Sequence, residues 1–230
     1  MAKTNGVVTK QDELLAKSGT KIRARKEVAR AIDAIENGYT PQRIIIPRPD
    51  MRSFKLNIVG LSPLMQNRWS EKQKRKLAEA ESGAPKTKKR EPRDPVGDFE
   101  AASHRLPDGS YAFPGAAFRK AAISAVRLVD GLTMTETKQL FFVIEDLVKL
   151  KCGEPVMDDR IAKMSNGQPS PRYRPVFWPW ATTITVRYCA TAVSIEQIIN
   201  LMALAGECVG IGELRPERGA GSYGRFSVEG

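Results

Sequence analysis

Histidine occurs once in this chain, at His104. Sites built on a serine or cysteine nucleophile mostly need a histidine base, and so does general-base cleavage of RNA. One histidine without a second to partner it leaves such chemistry unsupported, and His104 reads as a surface residue. Cysteine is nearly as scarce. Cys152, Cys189 and Cys208 are odd in number and far apart. They form neither a C-x-x-C zinc spacing nor an even disulfide framework, and read as reduced thiols of a cytosolic protein. No apolar run approaches the ~18 residues of a membrane span. The first residues lead into no apolar signal-peptide core, so none is expected. The P-loop run of Gly, four residues and Gly-Lys-Ser/Thr is missing. Gly219-Ala220-Gly221-Ser222-Tyr223-Gly224 fits the dinucleotide pattern G-x-G-x-x-G only by letter. That pattern opens a helix and has an acidic residue ~20 positions later, whereas six residues follow Gly224. No cofactor and no resident metal is expected.

What the chain has is positive charge. It carries a net +11 over 230 residues, with a pI near 9.7 and 41% hydrophobic residues. The length fits one large domain, or one domain with an arm. The charge points first to nucleic acid as partner and second to an acidic membrane surface. A stretch near the end combines arginine with glycine. Between Gly210 and Arg225 lie five glycines, including Gly210, Gly212, Gly219 and Gly221, and three arginines, Arg215, Arg218 and Arg225, with Tyr223 among them. Glycine lets a ligand approach the backbone, and arginine offers a fork of donors suited to phosphate. Such a loop is a candidate cradle for a nucleic-acid backbone. The plainer alternative is a flexible surface loop before an edge strand.

In chain order, residues 1–50 are polar and basic and form an N-terminal arm. Thr20 to Glu36 has helical periodicity, with Ala24, Val28, Ala31, Ile32 and Ile35 on one face. Ser53 to Leu61 alternates as a half-buried strand. Arg68 to Asp94 holds ten basic and five acidic residues. Ser70 to Ala80 within it reads as a helix. Gly83 to Pro95, carrying Lys88, Lys89 and Arg90, reads as a basic loop that could meet phosphates. Pro107-Asp108-Gly109 signals a turn. Pro114 starts an alanine-rich helix with Phe118, Ala122, Ala125 and Val129 as its apolar face and Lys120, Ser124 and Arg127 as its polar one. A helix start flanked by cations attracts phosphate. Leu140 to Lys151 reads as one buried strand. Residues 152–180 look irregular and interleave Arg160, Arg172 and Arg174 with Tyr173, Phe177, Trp178 and Trp180. Arg172, Tyr173 and Arg174 suit a single strand, which needs neutralised phosphates and faces for stacked bases; the tryptophans read as core. Thr182 to Tyr188 alternates again. Ser194 and Gln197 form a capping-box pattern, and Gly206 marks the end of the helix that follows. Arg225 to Val228 is a last strand.

The order is β-α-β-β-α-β. The fold class is therefore α+β: a ferredoxin-like or RRM-like antiparallel sheet over residues 51–230, with insertions at 62–110 and 152–180. Three elements in that order resemble the RAMP superfamily, the repeat-associated proteins of CRISPR effector complexes. Phe113-Pro114-Gly115-Ala116-Ala117-Phe118-Arg119-Lys120-Ala121 is similar to the element that opens the family's first helix. Gly210-x-Gly212 with Gly219-x-Gly221 looks like its C-terminal glycine-rich loop. Leu61-Ser62-Pro63-Leu64 resembles the end of its first strand. The resemblance implies single-stranded RNA or DNA binding and, in the backbone-subunit branch, side-by-side assembly along the strand. It places Arg119, Lys120 and the glycine loop on the nucleic acid and likens 152–180 to the family's thumb. The charged 62–105 insertion and the arm match nothing in that pattern. The whole chain is also similar to proteins of tailed phages, which would act in the cytoplasm of a bacterial host cell. The leading expectation is a non-enzymatic single-strand binder that forms a homo-oligomer or filament. Two others remain open: a metal-dependent nuclease using Asp158 and Asp159, and a phage factor that binds a host ribonucleoprotein complex.

Overall fold

In the computed structural model, residues 26, 28–30, 32–33, 48–82, 94–163, 167, 169–219 and 221–229 are described. The chain divides into two units, 1–48 and 49–230. In the first, the described residues between 26 and 33 are helical, and Val28 and Ile32, expected on a packed face, are exposed. Lys88, Lys89 and Arg90 lie outside the described residues.

The second unit begins with β1 (Met51–Gly60), where Leu56 and Ile58 point inward and Lys55 and Asn57 outward. β2 (Leu64–Met65) follows, fully buried. A charged helix, α1 (Glu71–Glu81), begins directly after Ser70, and α2 (Pro95–Ala101) is capped by Asp94. β3 (His104–Arg105) and β4 (Tyr111–Pro114) flank the Pro107-Asp108-Gly109 turn. Pro114 stands at the cap of α3 (Gly115–Ala125), which buries Phe118, Ala121, Ala122 and Ala125. Val129, expected on that face, lies beyond the helix and is exposed. α4 (Met134–Leu140) opens on a capping box formed by Thr133 and Glu136.

The stretch expected as one strand from Leu140 to Lys151 is broken into β5 (Phe141–Val143), β6 (Leu147–Lys149) and β7 (Lys151–Cys152). The break comes from tertiary contacts. The Gly115 amide donates to the Asp146 carbonyl at 2.9 Å, and the Glu145 carboxylate accepts the Thr185 amide at 3.0 Å. This turn hands the chain from one sheet to another. Residues 152–180, expected as irregular, contain β8 (Val156–Asp158), β9 (Ile161–Lys163), β10 (Pro169–Pro171) and β11 (Arg174–Phe177). Proline removes ladder donors and keeps these strands short. β12 (Trp180–Cys189), α5 (Ile195–Cys208) and β13 (Phe226–Glu229) complete the chain.

The main sheet runs β13-β1-β12-β5. Every neighbouring pair is antiparallel, with Leu56 opposite Ile184, Ile58 opposite Val228 and Tyr188 opposite Phe141. With α3 after β1 and α5 after β12, the spatial order is fourth, first, third, second, the ferredoxin-like arrangement. α3 packs on α5, and both cover the sheet face carrying Leu56, Ile58, Trp180, Ile184 and Val186. Gly206 does not end α5, which continues to Cys208; the glycine is buried where the helix meets β13. On the open face β1 and β12 present Ser53, Lys55, Asn57, Thr183, Thr185 and Arg187, and neither strand puts an aromatic ring there. The stacking surface that an RRM uses on its sheet is missing from these two strands.

Candidate nucleic-acid interface

The glycine loop grows out of the end of α5. Gly210 and Gly212 have φ of +70° and +76°, values that side chains disfavour. A β-carbon at Gly212 would also lie 2.5 Å from the Met65 carbonyl oxygen. The loop is stitched to its surroundings through backbone hydrogen bonds. The amides of Gly210, Ile211 and Glu213 donate to Ala205, Gly224 and Met65 at 2.8, 2.9 and 3.1 Å. Those of Tyr223 and Gly224 donate to Leu214 and Pro63 at 3.1 and 2.7 Å. The described part of this loop is fastened, in contrast to a flexible surface connection. A turn at Pro216–Arg218 lets it reverse, with Gly219 left-handed at its end.

On one side the loop faces α3 and α4 across a cleft of about 460 Å³. Lys120 and Ser124 of α3, Lys138 of α4, and Gly210, Gly212, Arg215 and Glu217 of the loop line it. Arg215 donates to the Gly212 carbonyl at 3.0 Å and to Glu217 at 2.9 Å. The Ser124 hydroxyl, and then Arg215 and Arg127, hold the Glu217 carboxyl below its ordinary value against the opposing effect of burial. Lys120 and Lys138 form no ion pair among the described residues. Three cations thus share the cleft with one carboxylate.

On the other side the loop meets β2, β11 and β8, which form a small antiparallel sheet. Glu213 pairs with Arg174 and accepts a 2.7 Å hydrogen bond from Asn67. Arg160 grips Asp158, with Nε 2.6 Å from Oδ1, and its guanidinium lies 5.7 Å from the Tyr223 ring centre. Burial, then repulsion from Arg172 and Arg160, lowers the Arg174 pKa to about 10. Arg174 therefore stays charged at neutral pH in a field that is already positive. Asn67, Trp69, Arg172 and Arg174 border a second cleft of about 340 Å³.

The structure brings Lys120, Gly210, Gly212 and Arg215 together in the first cleft, and Arg172 and Arg174 in the second. Tyr173, next to them in sequence, is half-buried, and Gly221 and Arg218 are exposed on the loop. Other candidates are engaged elsewhere. Arg119 donates to the carbonyls of Phe141, at 3.0 Å, and of Lys138, and stacks 4.7 Å from the centre of the Phe142 ring. Arg225 pairs with Glu207. Arg127 is exposed and reaches the Met134 sulfur. The expected start of the first helix is also occupied, since the Gly115 amide is bonded to Asp146. Trp180 is core, at 1% exposure, but Trp178, expected with it, is 54% exposed. Asp158 lies under Arg160 while Asp159 is exposed. Among the described residues, no three His, Cys, Asp or Glu side chains gather as a metal site. His104 is half-buried in β3, not a surface residue, and burial followed by Arg68 and Lys74 pushes its pKa down. Lys138 and Trp69 were not evident from sequence, because tertiary folding alone carries them to the clefts.

No protein-family model matches the chain, and no curated protein matches it. Solved structures do resemble it. One is a chain of the type III-B Cmr-beta complex bound to cognate target RNA, determined by cryo-EM, with a TM-score of 0.48 and 11% identity, covering 100% of this chain and 77% of that one. Another is Cmr6 from Pyrococcus furiosus, with a TM-score of 0.37 and 9% identity, covering 79% of this chain and 100% of that one. These likenesses are distant, and the ferredoxin-like arrangement rests on strand order and register. No helix among the described residues is long and apolar enough to cross a membrane.

Proposed function

We propose that this protein binds single-stranded nucleic acid, RNA or DNA, across its glycine loop, without cleaving it. The observation that carries the reading is the first cleft: Lys120, Lys138 and Arg215 line it together with Gly210 and Gly212, and Glu217 is the one acid among its lining residues. Three cations along one cleft fit a phosphate chain better than a neutral ligand. The fastened loop gives that chain a fixed track. A polar open sheet face argues against base stacking there and favours the loop side. In this reading Arg119, whose donors are engaged by the Phe141 and Lys138 carbonyls, serves the fold and not the strand. Asp158, gripped by Arg160, is poorly disposed to hold a catalytic metal. The resemblance of three motifs to the RAMP superfamily agrees with this reading, and copies binding side by side would coat a strand.

The test is fluorescence anisotropy with a labelled strand of ~30 nucleotides, long enough for several sites, as RNA, as DNA and as duplex, at two salt concentrations. Tight, salt-sensitive, single-strand-selective binding that Lys120→Ala/Lys138→Ala/Arg215→Ala loses is the expected result. Equal binding by wild type and variant would reject the reading. Stoichiometry at saturation reports whether several copies share a strand.

A further inference from the structure

The arm helix and the core each leave an apolar surface exposed. In the arm, Val28 and Ile32 stand one helical turn apart and are 59% and 50% exposed. Ile35 continues the same stripe in the sequence. A short helix is marginal in water, and an amphipathic one gains most of its stability by packing its apolar face. The core carries a groove of about 430 Å³, within the ~300–1,000 Å³ range of binding clefts. Val129, Leu132 and Leu140 line it with Val193 and with Leu201 and Leu204 of α5. Val129 and its neighbour Leu128 are exposed. An apolar groove with an exposed apolar rim marks a surface for a partner.

Three features select the occupant. Helix-in-groove recognition uses apolar anchors at i, i+4 and i+7, which is the spacing of Val28, Ile32 and Ile35. Asp130 is the only charged residue lining the groove, whereas residues 20–36 carry five cations against three acids. Opposite charges then set the orientation of an apolar contact. Reach is the third feature. Residues 37–47 separate the arm helix from the core in the sequence and span up to ~36–40 Å when extended. That is more than twice the ~16 Å radius of gyration of a domain of the core's size, and enough to reach a neighbouring copy. Val28 and Ile32 stay exposed in the single chain, so their apolar face is available to a second one.

We propose that the arm helix of one copy docks in the α5 groove of a second copy, with Val28 and Ile32 as anchors. Each copy then offers one arm and one groove. A contact of this head-to-tail kind repeats into a ring or an open chain. It needs no nucleic acid and so goes beyond the function proposed above.

The test is the mass of the full-length, nuclease-treated protein, read by analytical ultracentrifugation over a range of concentrations. Wild type should form concentration-dependent multimers. Val28→Asp/Ile32→Asp removes the anchors, and Val129→Arg sets a cation against the basic helix. Each variant should sediment as a monomer. All three positions are exposed, so the fold should survive, and thermal melting checks that it does. Mixed in equal amounts, the two variants should form a dimer and stop there, because the intact arm of one fits the intact groove of the other. Misfolded variants would not complement each other in this way. Wild type that stays monomeric at every concentration would overturn the inference. So would multimers that persist in either variant, or a mixture that remains monomeric. No strand is present, so failure here leaves single-strand binding in place, and failure of strand binding leaves this contact in place.

Discussion

Gly206 of α5 and Phe226 of β13 meet with no space for a β-carbon: one built on Gly206 would lie 2.0 Å from the Phe226 carbonyl oxygen. Alanine is favoured over glycine in a helix by ~1 kcal/mol. That gain is overridden, because the obstructing atom belongs to a sheet backbone that cannot rotate away. Gly206→Ala should destabilise the protein by ~1–3 kcal/mol, the usual cost of overpacking. Urea unfolding measures it, and an unchanged or raised midpoint would contradict the close packing.

Arg119→Ala should lower stability and leave binding alone. Its guanidinium satisfies carbonyls at the end of α4, which otherwise have no partner inside the helix. Hydrogen bonds to a charged group contribute roughly 1.5–3 kcal/mol each, and partial exposure puts the expected total at the lower end. The check is a reduced urea midpoint alongside an unaltered dissociation constant for a single strand. A large affinity loss with normal stability would return Arg119 to the interface.

Salt sensitivity should follow the first cleft. Each phosphate neutralised contributes about −0.7 to the slope of log K against log salt for a single strand. Lys120→Ala/Lys138→Ala/Arg215→Ala should therefore make the slope shallower by about 2. A titration series between low and physiological salt reads it directly. An unaltered slope would place the phosphates elsewhere.

Stability should fall as the pH drops below ~6.5, the ordinary value of histidine. Burial, then Arg68 and Lys74, lowers the His104 pKa in the folded chain. The unfolded chain therefore takes up its proton at higher pH. Folding is fully favoured above ~6.5 and loses ground until the pH reaches the lower folded value. His104 is the only histidine, so His104→Gln should flatten the melting temperature between pH 6.5 and 5.5. Glu145 and Asp158, whose pKa values are also depressed, act only in a more acidic range.

Much of the fold was legible because its strands and helices carry strong periodicity. Phe54, Leu56 and Ile58 announced β1, and Ser194 with Gln197 announced α5. The ferredoxin-like order followed from the succession of such elements. What escaped was decided by distant contacts. The turn that splits Leu140 to Lys151 depends on Gly115 approaching Glu145, and Gly206 looked like a helix stop because its neighbour Phe226 is twenty residues away. The site divides in the same way. Glycines and arginines made the loop conspicuous, and Lys120 stood beside a recognisable motif. Lys138 lies eighteen residues beyond Lys120, and Trp69 stood alone in a charged stretch. Arg119 resembled a phosphate contact in sequence, yet the end of α4 claims its donors.

The fastening of the glycine loop to Ala205, Met65 and Pro63 has a thermodynamic consequence. A segment already held by its own backbone has little conformational entropy left to lose when a ligand arrives. Occupation of the described part of the loop should therefore lack the large heat-capacity change that accompanies folding upon binding. Affinity at this track would be set by charge and fit, with the ordering cost falling on the ligand.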